Sequence, residues 1–143
     1  MSKKKDTPTP EFKLNPREDV YAQLVKYAAH CGVTMNRAMS VAGINRETVL
    51  KWKHFQPVSI RTIAAMTDDG FLLDPRRSVY DQVESFNSDR DKGMQQAAFD
   101  AGMSTTYMRW KKKQPHTVAI IEQVVNAIDF IKDPSMGVLQ EGL

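Results

Sequence analysis

At 143 residues the chain is long enough for one medium domain or for two small ones of roughly 60–70 residues each. Its content of 41% hydrophobic and 26% charged residues is typical of a globular protein, and no apolar run approaches the roughly 20 residues that span a bilayer. A formal net charge of +3 is compatible with a polyanionic partner. The one cysteine, Cys31, excludes an internal disulfide bond and a cysteine-based metal site, and we expect a small buried thiol there.

Residues 1–15 form a basic segment without the apolar stretch of a secretory signal, and we expect a flexible N-terminal arm. Asn15 and Pro16 predict the start of a first helix, with Asn15 as its N-cap, that continues to about Cys31 and ends at Gly32. Apolar residues recur at helical spacing on one face of this helix: Val20, Leu24, Tyr27, Ala28 and Cys31.

Three shorter helices are predicted after Gly32. Thr34 predicts the N-cap of a second helix, and Gly43 supplies the left-handed residue of a tight turn at its end. Asn45 predicts the N-cap of a third helix, and Ser59 that of a fourth, which stops before Gly70. The inward-facing positions predicted in these helices are Met35, Ala38, Met39 and Ala42, then Val49 and Trp52, and then Ile60, Ile63 and Met66.

The second half of the chain repeats the first. Residues 20–43 align without a gap with residues 79–102, at an offset of 59 positions. From Trp52, which matches Trp110, the offset is 58, so the second copy lacks one residue after Gly102. Identical residues recur for Val20, Tyr21, Gln23, Met35, Ala38, Ala42 and Gly43. The helices predicted in the second copy cover residues 78–88, 94–101, 104–112 and 117–131.

We therefore predict an all-α fold made of two tandem small helix-turn-helix domains. These domains cover residues 16–72 and 78–132, joined by a short connector at 73–77 and followed by a C-terminal tail at 133–143. Residues 1–74 contain 11 Lys and Arg against 8 Asp and Glu, so the basic excess lies in the N-terminal half of the chain.

Two short helices joined by a glycine-containing turn can place the second helix in the major groove of DNA. The segments MNRAMSVAGINRETVLKWK, residues 35–53, and MQQAAFDAGMSTTYMRWKKK, residues 94–113, resemble the helix-turn-helix of phage lambda-type repressors and Cro. The resemblance covers residues 17–70 and 76–131. The first copy departs from the family at Met39, where Ala is usual, and the second departs by its missing residue.

The resemblance implies which side chains would contact DNA in the first copy. Arg46 or Lys51 would read guanine, and Glu47 would accept from cytosine unless it simply pairs with Lys51 one turn later. The base-reading positions are Arg46, Glu47, Leu50 and Lys51, and the phosphate-contacting positions are Asn36, Arg37, Lys53 and His54.

In the second copy, burial of Trp110 would turn Tyr107 inward in the place of Val49. The base-reading positions are then Ser104, Thr105, Met108 and Arg109, and the phosphate-contacting positions are Gln95, Gln96, Lys111, Lys112 and Lys113. The alternative for the lysine-rich helix ends is solvated surface that interacts favourably with the helix dipole. The two tryptophans are expected in the core rather than stacked on bases.

We expect sequence-specific binding of double-stranded DNA by a phage or mobile-element transcriptional regulator, repressor-like, in the bacterial cytoplasm and associated with the nucleoid. One chain would cover two unlike half-sites without dimerising. Neither a cofactor, a metal ion nor a membrane is expected, and no enzyme motif is present. The alternatives are a DNA-packaging or nucleoid-type protein and a protein-interaction module that inhibits a host factor, with the C-terminal tail as a site for a homodimer or a protein partner.

Overall fold

The computed structural model describes residues 12–102 and 105–133, and in these ranges the fold is all-α, as predicted. The helices are α1 Val20–His30, α2 Met35–Ala42, α3 Arg46–Leu50, α4 Val58–Ala65, α5 Val79–Ser88, α6 Met94–Asp100 and α7 His116–Lys132. Two 3₁₀ helices, Lys51–Lys53 and Thr106–Lys111, follow α3 and α6.

The first helix begins later than predicted. Asp19, not Asn15, is its N-cap, and the Asp19 carboxylate accepts from the amide of Ala22 at 3.1 Å. The Asn15 side chain accepts instead from the amide of Arg17 at 3.0 Å, which closes a turn before the helix. An Asn-Pro pair favours a turn as strongly as a helix start, and here the turn forms.

The fourth helix of each copy starts directly after a proline, so Ser59 is not the N-cap that the sequence predicts for α4. The N-cap positions of α4 and α7 are Pro57 and Pro115, with ψ near 145° and 137°, and no side chain caps either helix. Ser59 therefore lies in the first turn of α4, and Thr117 in that of α7. The predicted caps Thr34 and Asn45 are confirmed, since they accept from the amides of Arg37 and Glu47.

The chain before α1 is part of the fold, which corrects the predicted flexible arm at residues 12–15. Phe12 and Leu14 are buried, and Leu14 pairs with Leu73 in an isolated antiparallel bridge. The predicted connector also packs, because Leu73, Asp74 and Pro75 are buried. Residues 1–11 of the arm and 134–143 of the tail lie outside the described ranges.

Four glutamine side chains hold the two copies in the same local structure. Gln56 accepts from the amide of Val20 at 3.1 Å, and its equivalent Gln114 accepts from the amide of Val79 at the same distance. Gln23 and Gln82 likewise bind the backbone amides eight residues before them, each at 2.8 Å. Gln56 and Gln114 therefore tie the start of the first helix of their copy to the segment after the buried tryptophan. Gln23 and Gln82 tie that helix to the chain that precedes it.

The hydrophobic residues of both copies form one continuous core. Trp52 and Trp110 are buried in it, as predicted. Helix α7, with 17 residues against 8 in α4, extends beyond its counterpart and packs against α2 and α4 of the first copy. The core therefore crosses the connector at residues 73–77.

Candidate nucleic-acid interface

The turn between α2 and α3 has the backbone that the sequence predicts. Gly43 follows α2 with φ at 72°, a left-handed conformation that costs glycine little. The amide of Ile44 donates to the carbonyl of Met39 at 3.0 Å, which satisfies one of the last carbonyls of α2. Asn45 then caps α3 by accepting from the amide of Glu47 at 2.9 Å, and Asn45, Arg46 and Glu47 at the start of α3 are all exposed.

The first copy presents three charged side chains on α3 and directly after it. Arg46, Glu47 and Lys51 are exposed, whereas Leu50 is half-buried. Within the described residues Glu47 and Lys51 form no ion pair, so both head groups can reach a partner. Val49 is buried in the core, as the predicted register requires.

The predicted phosphate-contacting residues of the first copy are all exposed. Asn36 and Arg37 lie in the first turn of α2, and Lys53 and His54 follow α3. The ammonium group of Lys53 lies 5.6 Å from the centre of the Tyr21 ring, within the range of a cation–π contact. This contact restricts a lysine that would otherwise sample many rotamers.

Sequence reasoning missed Arg61 as a member of this surface. Arg61 is exposed on α4 and lines one surface depression together with Lys53 and His54. Glu18 and Asp19 also line this depression, so it carries both signs of charge. The only sequence signal for Arg61 is its position one turn into the fourth helix, close to the lysine-rich end of the third.

The second copy has a 3₁₀ helix where an α-helix was predicted. Gly102 has φ at 77° and is left-handed like Gly43, but Thr106–Lys111 forms a 3₁₀ helix. The second copy has one residue fewer between its glycine and its tryptophan, and a 3₁₀ helix rises more per residue than an α-helix. Met103 and Ser104, the latter a predicted base-reading residue, lie outside the described ranges.

The remaining predicted base-reading residues of the second copy face solvent. Thr105, Met108 and Arg109 are exposed. Tyr107 is buried in the place of Val49, as predicted, and stacks on the ring of Tyr80 with 6.4 Å between ring centres. The second copy therefore offers one cation, one hydroxyl and one thioether at this position.

The lysine cluster of the second copy is equally exposed. Lys111, Lys112 and Lys113 face solvent, and the Lys111 ammonium lies 5.4 Å from the centre of the Tyr80 ring. The pair Lys111 and Tyr80 is equivalent to Lys53 and Tyr21. Both copies therefore hold the first lysine after their buried tryptophan in the same way.

A carboxylate lies beside the phosphate contacts that are predicted at the start of α6. Gln95 and Gln96 are exposed, but the Gln96 amide donates to the Asp100 carboxylate at 2.8 Å. Lys92 lies 3.1 Å from the same carboxylate. The hydrogen bond from Gln96 and then the contact with Lys92 lower the pKa of Asp100, so its negative charge persists. This charge disfavours a phosphate beside Gln96.

Comparisons with protein-family models, with curated proteins and with solved structures returned no match to this chain. Within the described ranges no helix has the length and apolar character needed to cross a membrane. The same ranges contain no cluster of three metal-ligating side chains. The interpretation of this surface therefore rests on its own geometry and charge.

Proposed function

We propose that the protein binds double-stranded DNA with sequence preference and acts as a transcriptional regulator. One observation carries the proposal: a left-handed glycine turn and an Asn cap present a short helix with Arg46 and Glu47 exposed on it and Lys51 exposed directly after it. Such a helix fits the major groove, where arginine and lysine pair with guanine and a carboxylate accepts from cytosine. A good bidentate contact discriminates against the wrong base by about 1–3 kcal/mol.

Phosphate contacts would supply much of the affinity, and the base contacts would supply the preference among sequences. Arg37, Lys53 and Arg61 in the first copy are exposed cations around the same helix-turn-helix. In the second copy, the three exposed lysines at positions 111–113 form a denser group that would contact phosphate, beside the exposed base-reading candidates Thr105, Met108 and Arg109. Neutralising phosphates releases counterions, so binding should weaken steeply as salt rises.

Exposed apolar side chains support a second candidate, a protein-interaction module. Phe99 on α6 is 75% exposed and Met108 is 50% exposed. Aromatic and methionine side chains are enriched in protein interfaces. A protein that uses the fold only as a scaffold for this surface would show no preference among DNA sequences.

Selection from random duplexes tests the proposal. The wild-type chain is expected to enrich a sequence, and fluorescence anisotropy should show weaker binding to a scrambled duplex of equal length. Arg46→Ala should reduce the ratio of the two affinities about 5- to 150-fold, because it removes one base contact.

Lys26→Ala is the matched control, since Lys26 is an exposed cation on α1 and its loss changes the net charge equally. It should leave the affinity ratio unchanged. Equal binding of the wild-type chain to every duplex would contradict the proposal and favour the DNA-packaging or nucleoid-type alternative. No binding at low salt would also contradict it and would favour the protein-interaction module.

A further inference from the structure

The two copies are related by a local two-fold axis at the bridge between Leu14 and Leu73. These residues are equivalent in the repeat, being 59 positions apart. The amide of Leu14 donates to the carbonyl of Leu73 at 2.8 Å, and the amide of Leu73 donates to the carbonyl of Leu14 at 2.7 Å. An antiparallel pair that exchanges both hydrogen bonds has a two-fold axis between its members. Here that axis interchanges equivalent positions of the two copies.

The residues beside the bridge follow the same symmetry. The ring of Phe12 packs edge-on against Tyr27, with 5.3 Å between ring centres. The equivalent rings of Phe71 and Phe86 pack edge-on at 5.1 Å. In both copies, therefore, the first helix packs in the same way against the aromatic residue beside the bridge.

Contacts between the copies are reciprocal as well. The end of α1 contacts the fourth helix of the second copy, where the Tyr27 hydroxyl donates to the Asp129 carboxylate at 2.5 Å. The end of α5 contacts the chain at the end of α4, where the Asn87 amide donates to the carbonyl of Met66 at 2.9 Å. Such reciprocity is the property of an isologous interface in a two-fold dimer.

We infer that one chain recognises two half-sites arranged as an imperfect inverted repeat, with no second chain. A tandem repeat in sequence suggests half-sites in the same direction, but a two-fold axis places the helix-turn-helix elements of the two copies in opposite directions. The half-sites are unlike, because the first copy offers Arg46, Glu47 and Lys51 whereas the second copy offers Thr105 and Arg109. The inference rests on the proposed function and adds the direction and the stoichiometry.

Three duplexes built from the sequence selected by the full chain test this arrangement. One keeps the selected site, one reverses the half-site contacted by the second copy, and one replaces that half-site with scrambled sequence. The selected duplex should bind at least about 10-fold more tightly than the other two, because linked modules gain affinity only when both can engage. Light scattering should give one protein chain per selected duplex.

Each outcome separates the inference from the proposed function. Tighter binding to the reversed duplex, equal binding to all three, or two chains per duplex would overturn the inverted, single-chain arrangement while leaving DNA recognition intact. Failure to enrich any sequence would overturn the proposed function itself. Arg109→Ala should weaken the selected duplex and leave the duplex with the scrambled half-site unchanged, whereas a purely structural role of Arg109 would weaken both.

Discussion

Gly32 and Asp91 occupy equivalent positions after the first helix of each copy, and both have left-handed backbones, with φ at 73° and 57°. A left-handed conformation costs a residue with a side chain roughly 1–2 kcal/mol, and glycine almost nothing. We therefore expect Asp91→Gly to raise the free energy of unfolding by about 0.5–1 kcal/mol and Gly32→Asp to lower it by a similar amount. Urea titration followed by circular dichroism measures both, and a loss of stability in Asp91→Gly would contradict this expectation.

Lys111 and Lys112 are exposed beside a 3₁₀ helix with few base-reading side chains, so their contribution to DNA binding should be electrostatic. The double change Lys111→Ala with Lys112→Ala should weaken binding to all duplexes alike. It should also reduce the slope of log affinity against log salt by roughly two units. Binding titrations at several salt concentrations measure the slope. A changed order of preference among duplexes would instead make this copy the one that reads bases.

At the scale of the secondary-structure elements, each 3₁₀ helix anchors its copy through one buried tryptophan. Trp52→Ala and Trp110→Ala should each lower the free energy of unfolding by about 3–5 kcal/mol, as expected for deleting a buried large aromatic side chain. Phe55→Ala is the control on the same segment, because Phe55 is exposed, and it should change stability little. Quenching of both tryptophans by acrylamide as fast as free indole would be incompatible with this packing.

Sequence patterns predicted the elements whose signals are local. Gly43 and Asn45 fix the turn and the cap through their own backbone and side chain, and the helical spacing of apolar residues placed Trp52, Trp110 and Tyr107 in the core. The predicted start of α1 was wrong because Asn15 closes a turn before the helix, and its amide donates to the Gln23 side chain eight residues later. An Asn-Pro pair is compatible with either structure, so the pair alone does not decide between a turn and a helix start.

The surface position of the candidate site residues could be predicted from local patterns, whereas the packing between the copies could not. The predicted contact residues that the structure describes lie at the surface, with Leu50 only half-buried, because a helical register determines which side chains face outward. The bridge between Leu14 and Leu73 and the packing of α7 on α2 join residues far apart in sequence. Alternation and spacing carry no information about such pairs.

At the scale of the whole molecule, the shared core predicts that the two copies unfold together. The variants Trp52→Phe and Trp110→Phe each keep one tryptophan, which reports on one copy by its fluorescence. We expect the fluorescence midpoint in urea to coincide with the circular dichroism midpoint in each variant, as in a two-state transition. Separate midpoints for fluorescence and circular dichroism within one variant would show that the copies are independent domains.

The contact between Tyr27 and Asp129 across the copies predicts how stability depends on pH. Burial, and then the hydrogen bond to Asp129, raises the pKa of Tyr27 above its ordinary value of 10.0. The folded state thus favours the neutral phenol, so stability is complete below about pH 10 and falls as the pH rises above it. Tyr27→Phe should show a smaller loss of stability between about pH 9 and 11 than the wild-type chain.

Tyr21→Phe is the control for this pH dependence, because the half-buried Tyr21 lies on α1 outside the contact with α7. Urea midpoints across the pH range measure the effect. If stability declines equally with pH in the wild-type chain and in Tyr27→Phe, ionisation of the Tyr27 phenol does not contribute to the pH dependence.

The bridge between Leu14 and Leu73 has a consequence for how DNA occupancy would respond to protein abundance. A regulator that must first pair with a second chain fills its site in proportion to the square of its concentration when it is scarce, and such a response resembles a threshold. Here the partner is part of the same polypeptide, so its effective concentration is constant. At low concentration, occupancy would rise in direct proportion to the number of chains in the cell. Each newly made chain would bind DNA without first forming a dimer.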